Sequence, residues 1–275
     1  MNEKVLIVVT MKLPARIGRA RLALATVLVT CGIGFAACAS GGGTKLPAGT
    51  VQPDKYLFDR GTEALNTKRY IKAREYFQQL YDNYPQSPYR PDGKLGLGDA
   101  YLGEDSPESL VLAANEFKEF LTFFPNHQRA DYAQYKLALS HYAQMLKPDR
   151  DQKETREAIK ELEAFVARFP DSKLLPDGKK KLREARDRLS TSDYLVGLNY
   201  YRWHVYPGAI QRFKAILRDD PDYTNRDGVY YYLAESLIAL NLKAEALPYL
   251  ERLVAEFQQS EFLPKAQTRI KELKG

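Results

Sequence analysis

The chain has 275 residues and carries 41 lysines and arginines against 35 aspartates and glutamates, a net charge of +6 at pH 7. Residues 1–37 hold five of the basic residues and one of the acidic ones, so the remainder carries only about +2, which gives no indication of nucleic-acid binding. The two cysteines are Cys31 and Cys38. If an N-terminal segment containing Cys31 is removed, the remaining chain cannot form an internal disulfide.

The N-terminus has the pattern of a secretory signal. Residues 12–21 include four basic residues, and an apolar run of 14 residues follows over 22–35. That run is too short to remain as a membrane-spanning helix, and small residues follow it, so we predict a signal peptide over residues 1–37. The basic region is long, and translation starts at either Met1 or Met11.

The segment Phe35-Ala36-Ala37-Cys38 resembles the bacterial lipoprotein box, with phenylalanine in place of the usual leucine. The resemblance implies that Cys38 begins the mature chain and carries covalent lipid (S-diacylglycerol and N-acyl, such as palmitate), with no other cofactor. Ala39 in place of aspartate implies sorting to the outer membrane of a Gram-negative cell, on its periplasmic face. Residues 38–53 are small and flexible and predict a tether. An ordinary signal peptide with an incidental cysteine is the alternative.

One spacing recurs five times along the rest of the chain: an alanine, a large apolar residue four positions later, and a break twelve positions after the alanine. The pairs are Ala73–Phe77, Ala113–Phe117, Ala158–Leu162, Ala209–Phe213 and Ala246–Leu250. The breaks are Pro85, Pro125, Pro170, Pro221 and, in the fifth unit, Gln258. Residues four apart share a helix face, and proline ends a helix, so each unit predicts one buried helix with a defined end.

A small residue on a second apolar stretch precedes each alanine. Gly61, Gly197 and Ala234 lie 12 residues before their alanines, whereas Gly98 and Ala138 lie about 3 and 8 residues further away. The combination resembles the tetratricopeptide repeat, which has two antiparallel helices per unit. We therefore predict an all-α fold, a tetratricopeptide-repeat α-solenoid of about five helix pairs with a C-terminal capping helix. The solenoid is predicted over 54–275, with repeats at about 54–89, 91–130, 131–175, 190–225 and 227–260 and the cap at 261–275.

Basic residues are concentrated between Lys179 and Arg188, where Glu184 and Asp187 interleave with them. The run has helical character. One interpretation is a solvated helix face, and the other is a docking patch for an acidic partner.

Aromatic usage favours tyrosine, with 19 tyrosines and one tryptophan. The first helix of each unit should build the concave face of the solenoid, so we predict an apolar, tyrosine-rich groove there that holds an extended or helical peptide segment. The candidate groove residues are Phe58, Leu65, Leu95, Leu102, Tyr194, Tyr201 and Tyr231. The alternative is that neighbouring turns shield these side chains.

The sequence gives no indication of an enzyme. The histidines are His127, His141 and His204, which lie in different units without an acidic or cysteine partner at ligand spacing, so no metal site is predicted. Phosphate-loop, dinucleotide-binding and hydrolase motifs are absent from the sequence.

Six segments resemble the BamD family, the lipoprotein subunit of the β-barrel assembly machinery: 82–85, 87–89, 131–135, 168–172, 187–189 and 217–222. The resemblance extends from the lipoprotein box to about residue 240. It implies docking to the POTRA domains of the outer-membrane β-barrel insertase, help in receiving unfolded outer-membrane proteins, and contact with accessory lipoproteins. The resemblance also implies that the protein contacts the membrane through its lipid anchor and does not bind nucleic acid.

The resemblance also implies one docking residue. In the family an arginine on the second helix of the fourth repeat supports the insertase contact, and Arg212 occupies that position here. It precedes Phe213, which we expect to be buried, so Arg212 should be exposed, and its guanidinium suits a bidentate pair with a carboxylate. A solvated arginine without a partner is the alternative.

Other functions remain open at this point. A tetratricopeptide lipoprotein can serve another envelope machine, as a pilotin or a Tol-Pal-associated scaffold, although no coiled-coil heptads precede residue 54 as they usually do in Tol-Pal proteins. A scaffold attached to cell-wall enzymes is the third interpretation. The partner that co-purifies distinguishes the three.

Overall fold

The structure is a computed structural model that describes residues 46–275. The predicted signal peptide, the predicted lipidation at Cys38 and residues 39–45 of the predicted tether lie outside the described residues. The described part contains these helices: α1 (Pro53–Asn66), α2 (Tyr70–Asn83), α3 (Arg90–Glu104), α4 (Pro107–Phe123), α5 (Ala130–Ala143), α6 (Lys153–Arg168), α7 (Leu175–Arg202), α8 (Tyr206–Asp219), α9 (Arg226–Ala239), α10 (Lys243–Glu256) and α11 (Leu263–Lys274). Residues 46–275 contain no strand.

Each helix packs against the next one along the chain. Because the connections are short, successive helices are antiparallel, and α1 to α10 form five pairs. Each odd-numbered helix from α1 to α7 also contacts the next odd-numbered one, which places the first helix of each pair on the inner side of the stack. The last helix, α11, covers α10. The prediction of an all-α tetratricopeptide solenoid with five pairs and a capping helix is confirmed.

The recurrent apolar pairs form the core. Each of the five alanines is fully buried, and the large residue four positions later is at most 1% exposed in every unit. The small residue on the first helix faces this large side chain. A Cβ added to Gly197 would lie 2.5 Å from the ring of Phe213, and one added to Gly61 would lie 2.6 Å from Phe77. The small residue is therefore what allows the two helices of a pair to approach closely.

The second helix of each unit ends at the same place in the pattern. In the first four pairs it ends two residues before the proline, and α10 likewise ends two residues before Gln258. Proline is therefore not required to end this helix.

The longest helix is α7, which has 28 residues. It runs continuously through the stretch between the third and fourth units that the repeat spacing left unassigned. Asp220, at the end of α8, accepts hydrogen bonds from Arg183 (2.9 Å) and Ser190 (2.7 Å) on α7. These bonds fix the added turns of α7 against the end of its partner helix.

Candidate functional site

Arg212 lies on α8 with its side chain exposed, whereas the next residue, Phe213, is fully buried. This agrees with the exposure expected from the sequence. The side chain lines an open cavity of about 480 Å³ to which α6, α7 and α8 contribute.

Most charges around this cavity are paired within the chain. Glu163 pairs with Arg186 at 2.6 Å, and Arg218 pairs with Asp219 at 2.7 Å. Within residues 46–275, Arg212 forms neither a hydrogen bond nor an ion pair, so its guanidinium is free to bind a group from outside.

Asp193 on α7 lines the same cavity, and its carboxyl interacts electrostatically with Arg212. Burial raises the pKa of Asp193, and the positive charge of Arg212 opposes that rise. The carboxyl lacks a hydrogen-bonded partner in the described part of the chain. A partner that supplied a carboxylate to Arg212 would compete with Asp193 for the same positive charge.

The arginines of the basic run on α7 are used inside the fold. Arg183 binds Asp220, Arg186 binds Glu163, and Arg188 donates to the backbone carbonyls of Met145 and Leu146, at 3.1 Å in each case. The arginines of this run therefore stabilise the junction between units, and only the charges of Lys179, Lys180 and Lys181 are left for a docking patch.

The structure brings three of the predicted groove residues together at the C-terminal end. The ring of Tyr232 lies 5.1 Å from Tyr201, 5.2 Å from Tyr231 and 6.3 Å from Tyr194 between centroids. Phe262 stacks on Tyr231 at 5.0 Å. All three predicted tyrosines are half-buried, and burial raises the pKa of Tyr231 to about 12, so its hydroxyl stays protonated and can donate a hydrogen bond.

The N-terminal groove residues belong to separate clusters. Phe58 and Leu65 on α1 pack beside Phe77, and Phe58 also stacks on Tyr89 at 5.3 Å. Leu102 on α3 lies at the edge of the next cluster. These three side chains are half-buried and keep some accessible surface.

The prediction is wrong for Leu95. This side chain is 0% exposed and packs in the interior with Ala113, Phe117 and Leu137. The reason is that α3 is covered on several sides, by α2, by α4 and by its contacts with α1 and α5. Leu95 therefore holds the core together and does not line a surface groove.

The described residues contain no cluster of histidine, cysteine, aspartate and glutamate that could hold a metal ion. Among the helices of residues 46–275, none is long and apolar enough to cross a bilayer. The chemistry available at the sites described above is that of binding: a free guanidinium in a cavity and half-buried aromatic surface.

Comparisons with known proteins also point to a binding protein. The family model described as outer membrane lipoprotein (YfiO) matches residues 51–247. The chain belongs to this family, the BamD family. Among curated relatives, outer membrane protein assembly factor BamD of Caulobacter vibrioides is 27% identical over 83% of this chain and 73% of its own length. The BamD of Rickettsia prowazekii is 28% identical over 80% of this chain and 87% of its own.

A likeness to a solved structure is slight. A tetratricopeptide repeat protein from Parabacteroides merdae is 14% identical and has a TM-score of 0.35. The match covers 82% of this chain and 74% of the length of that protein. The assignment of the fold to this BamD-family chain therefore rests on the helix pairing and the buried repeat residues.

Two residues of these sites were missed by the sequence reasoning. Tyr232 joins the three predicted tyrosines, and its signal was the tyrosine run 230–232 on a first helix. Asp193 faces Arg212 from α7, and its signal was weak, because α7 and α8 meet only once the chain has folded.

Proposed function

We propose that this chain is an outer-membrane lipoprotein subunit of the β-barrel assembly machinery. It docks to the POTRA domains of the barrel insertase and helps receive unfolded outer-membrane proteins, and it acts by binding, without catalysis. Membership of the BamD family and the naming of its relatives as outer membrane protein assembly factors support this proposal.

The observation that carries the docking step is the free guanidinium of Arg212 in its cavity. Neighbouring arginines are occupied by carboxylates of the chain itself, whereas Arg212 is exposed and lacks such a partner among the described residues. A carboxylate on the insertase can bind this guanidinium in a bidentate manner. The open cavity between α6 and α8 gives room for the loop that carries it.

Substrate reception is assigned to the inner side of the solenoid. An unfolded outer-membrane protein ends in a strand of alternating apolar residues, which needs apolar surface until it pairs. Phe58, Leu65 and Leu102 offer half-buried apolar surface on first helices at one end, and Tyr194, Tyr201 and Tyr231 do so at the other. A solenoid offers this surface without an unpaired strand edge that could aggregate.

Cys38 provides the membrane attachment in this proposal. A lipidated cysteine at the start of the mature chain confines the solenoid to the periplasmic face of the outer membrane. Confinement raises its effective concentration near the insertase, so moderate contacts suffice for stable association.

Affinity purification tests the partner. Full-length tagged protein is extracted from native membranes with detergent, and the proteins that follow it are identified and quantified by mass spectrometry. We expect a POTRA-bearing β-barrel protein at near-equal amount. Recovery of a secretin, of Pal or of cell-wall enzymes in its place would assign the chain to another envelope machine.

Site-specific photo-crosslinking tests the inner surface. A benzoylphenylalanine at Phe58, which preserves an aromatic ring, is compared with one at Gln78, which is exposed on the outer helix of the same unit. We expect adducts with unfolded outer-membrane proteins from position 58 and not from position 78. Equal adducts at both positions would contradict reception on the inner side.

A further inference from the structure

Two neighbouring turns expose large apolar side chains. Trp203 is 69% exposed and Val205 is 45% exposed in the turn between α7 and α8. Leu240 is 39% exposed and Leu242 is 42% exposed in the turn between α9 and α10. We call these four side chains the turn patch.

The two turns are equivalent positions of adjacent repeats. His204 and Asn241 both adopt a left-handed backbone conformation, with φ of 60° and 61°, and each lies five residues before its repeat alanine. Helices α7 and α9 run in the same direction and contact each other. Their C-terminal ends, and the turns that follow, therefore lie side by side at one edge of the solenoid.

The charges of the turn patch are of one sign. Arg202 and Lys243 flank it and are exposed, and neither forms an ion pair with any residue in the range 46–275. The stretches 202–206 and 239–243 contain no aspartate or glutamate. The corresponding turn of the second unit is different, because it carries the exposed carboxylates of Glu104 and Asp105.

We propose that the turn patch docks on the anionic surface of a phospholipid leaflet. Tryptophan favours the boundary between lipid and water, and leucine and valine gain by entering it. Lysine and arginine beside them are attracted to anionic headgroups, whereas the acidic turn of the second unit is repelled. The patch stands on the tips of turns and is not a groove, which suits a fluid interface. The family is one of outer membrane lipoproteins, so such a surface is at hand.

Docking of this kind fixes the orientation of the solenoid. With the turn edge of α7 to α10 on the membrane, the end of α8 that lines the Arg212 cavity lies at the opposite edge, away from the leaflet. The inference rests on family membership and on these two turns, and it holds whether or not the chain docks through Arg212.

The chain contains one tryptophan, so its fluorescence reports directly on the turn patch. Full-length protein is reconstituted into phosphatidylethanolamine–phosphatidylglycerol vesicles whose acyl chains carry bromine, a short-range quencher. We expect a blue shift and quenching of Trp203 that increase with the phosphatidylglycerol fraction. The double variant Arg202→Glu/Lys243→Glu keeps the fluorophore, and we expect it to lower the ratio of docked to free patch by more than about twentyfold, since each cation contributes about fivefold.

The matched control moves the fluorophore. In Trp203→Phe/Phe123→Trp the tryptophan stands at the C-terminal end of α4, on the opposite edge, where Phe123 is 60% exposed. We expect no quenching there, although the chain is held to the same vesicle. Equal quenching at both positions, or quenching of Trp203 that ignores phosphatidylglycerol, would overturn the proposal. Protection of Trp203 from aqueous acrylamide only in the native protein complex, without quenching by brominated lipid, would assign the patch to a protein partner and overturn it as well.

Discussion

Ser260 donates a hydrogen bond of 2.6 Å to the carboxylate of Asp227, which joins the segment after α10 to the start of α9. The hydroxyl oxygen also accepts a hydrogen bond of 3.0 Å from the backbone N–H of Phe262, the residue directly before α11. One serine thus joins the end of the second helix, the start of the first helix and the start of the next unit. The same bonds occur at Ser87 with Asp54 and at Ser172 with Asp131.

Ser260→Ala is therefore expected to destabilise the C-terminal end. Loss of both bonds should lower the free energy of unfolding by about 1–3 kcal/mol, because Asp227 is left without this donor. Urea denaturation followed by circular dichroism measures the change. Gln259→Ala, at the exposed neighbouring position, is the control and should be neutral. Equal midpoints for Ser260→Ala and the control would show that this bond carries no net stability.

The serine–aspartate bond also shows where reasoning from the sequence stopped. The partners are 33 residues apart in the first and fifth units and 41 apart in the third, so no fixed spacing marks them. In the second unit His127 takes the place of the serine, and its Nδ1 accepts from the backbone N–H of Arg129. The apolar spacing was visible because each helix repeats it locally, whereas these polar pairs form only after distant segments meet.

The full length of α7 and the burial of Leu95 could not be predicted from the sequence for a related reason. The basic stretch before the fourth unit has no small–large apolar pair, so the repeat pattern had nothing to assign there. Arg183 and Arg186 pair with carboxylates on α6 and at the end of α8, and these pairs form only in the folded chain. The assignment of Leu95 to the groove rests on its position in the repeat alone. That position predicts the helix face on which a residue lies, but not how many neighbouring helices cover that face.

Gly197→Ala tests the origin of the repeat spacing. Alanine is favoured over glycine within a helix by about 1 kcal/mol, so helix propensity alone would stabilise the variant. The added Cβ would instead lie 2.5 Å from the Phe213 ring, which packs in the core and has little room to move. We expect a net loss of about 1–3 kcal/mol in the free energy of unfolding. Asn199→Ala, exposed on the same helix, is the control. A gain in stability for Gly197→Ala would show that the helix pair can open without cost.

Asp220 should make stability depend on acid pH. Burial by itself raises the pKa of this carboxyl, but the hydrogen bonds from Arg183 and Ser190 outweigh it, and the pKa lies below its usual value. The folded pKa is thus lower than the unfolded value of about 3.9, so the charged form contributes stability above that value. The contribution is lost as the pH falls through the folded pKa.

The measurement is the melting temperature as a function of pH for wild type and Asp220→Asn. The variant cannot ionise at this position, so it should melt at a lower temperature near pH 7 and lose less on acidification below about pH 4 than the wild type does. Asp222→Asn, at the exposed position two residues later, should follow the wild-type curve. Coincident curves for wild type and Asp220→Asn would show that the Arg183 bond adds nothing to folding.

Arg212→Glu separates docking from folding. The side chain is exposed and makes no hydrogen bond or ion pair in the described part of the chain, so the free energy of unfolding should fall by no more than about 1 kcal/mol, the cost of placing a second carboxylate near Asp193. Binding to the insertase should weaken more strongly, because reversing one partner of a hydrogen-bonded charge pair at an interface costs about 2–5 kcal/mol. That corresponds to a rise of at least about thirtyfold in Kd for purified POTRA domains.

Two comparisons make the Arg212 result specific. Lys118→Glu reverses an exposed cation on α4 that forms no ion pair among residues 46–275, and it should leave Kd unchanged. Arg212→Lys keeps the charge but loses the bidentate geometry, so its Kd should lie between those of wild type and Arg212→Glu. An equal loss of binding in Lys118→Glu would reduce the effect to general electrostatics. A large drop in the melting temperature of Arg212→Glu would mean that Arg212 supports the packing of α7 against α8 and not the partner.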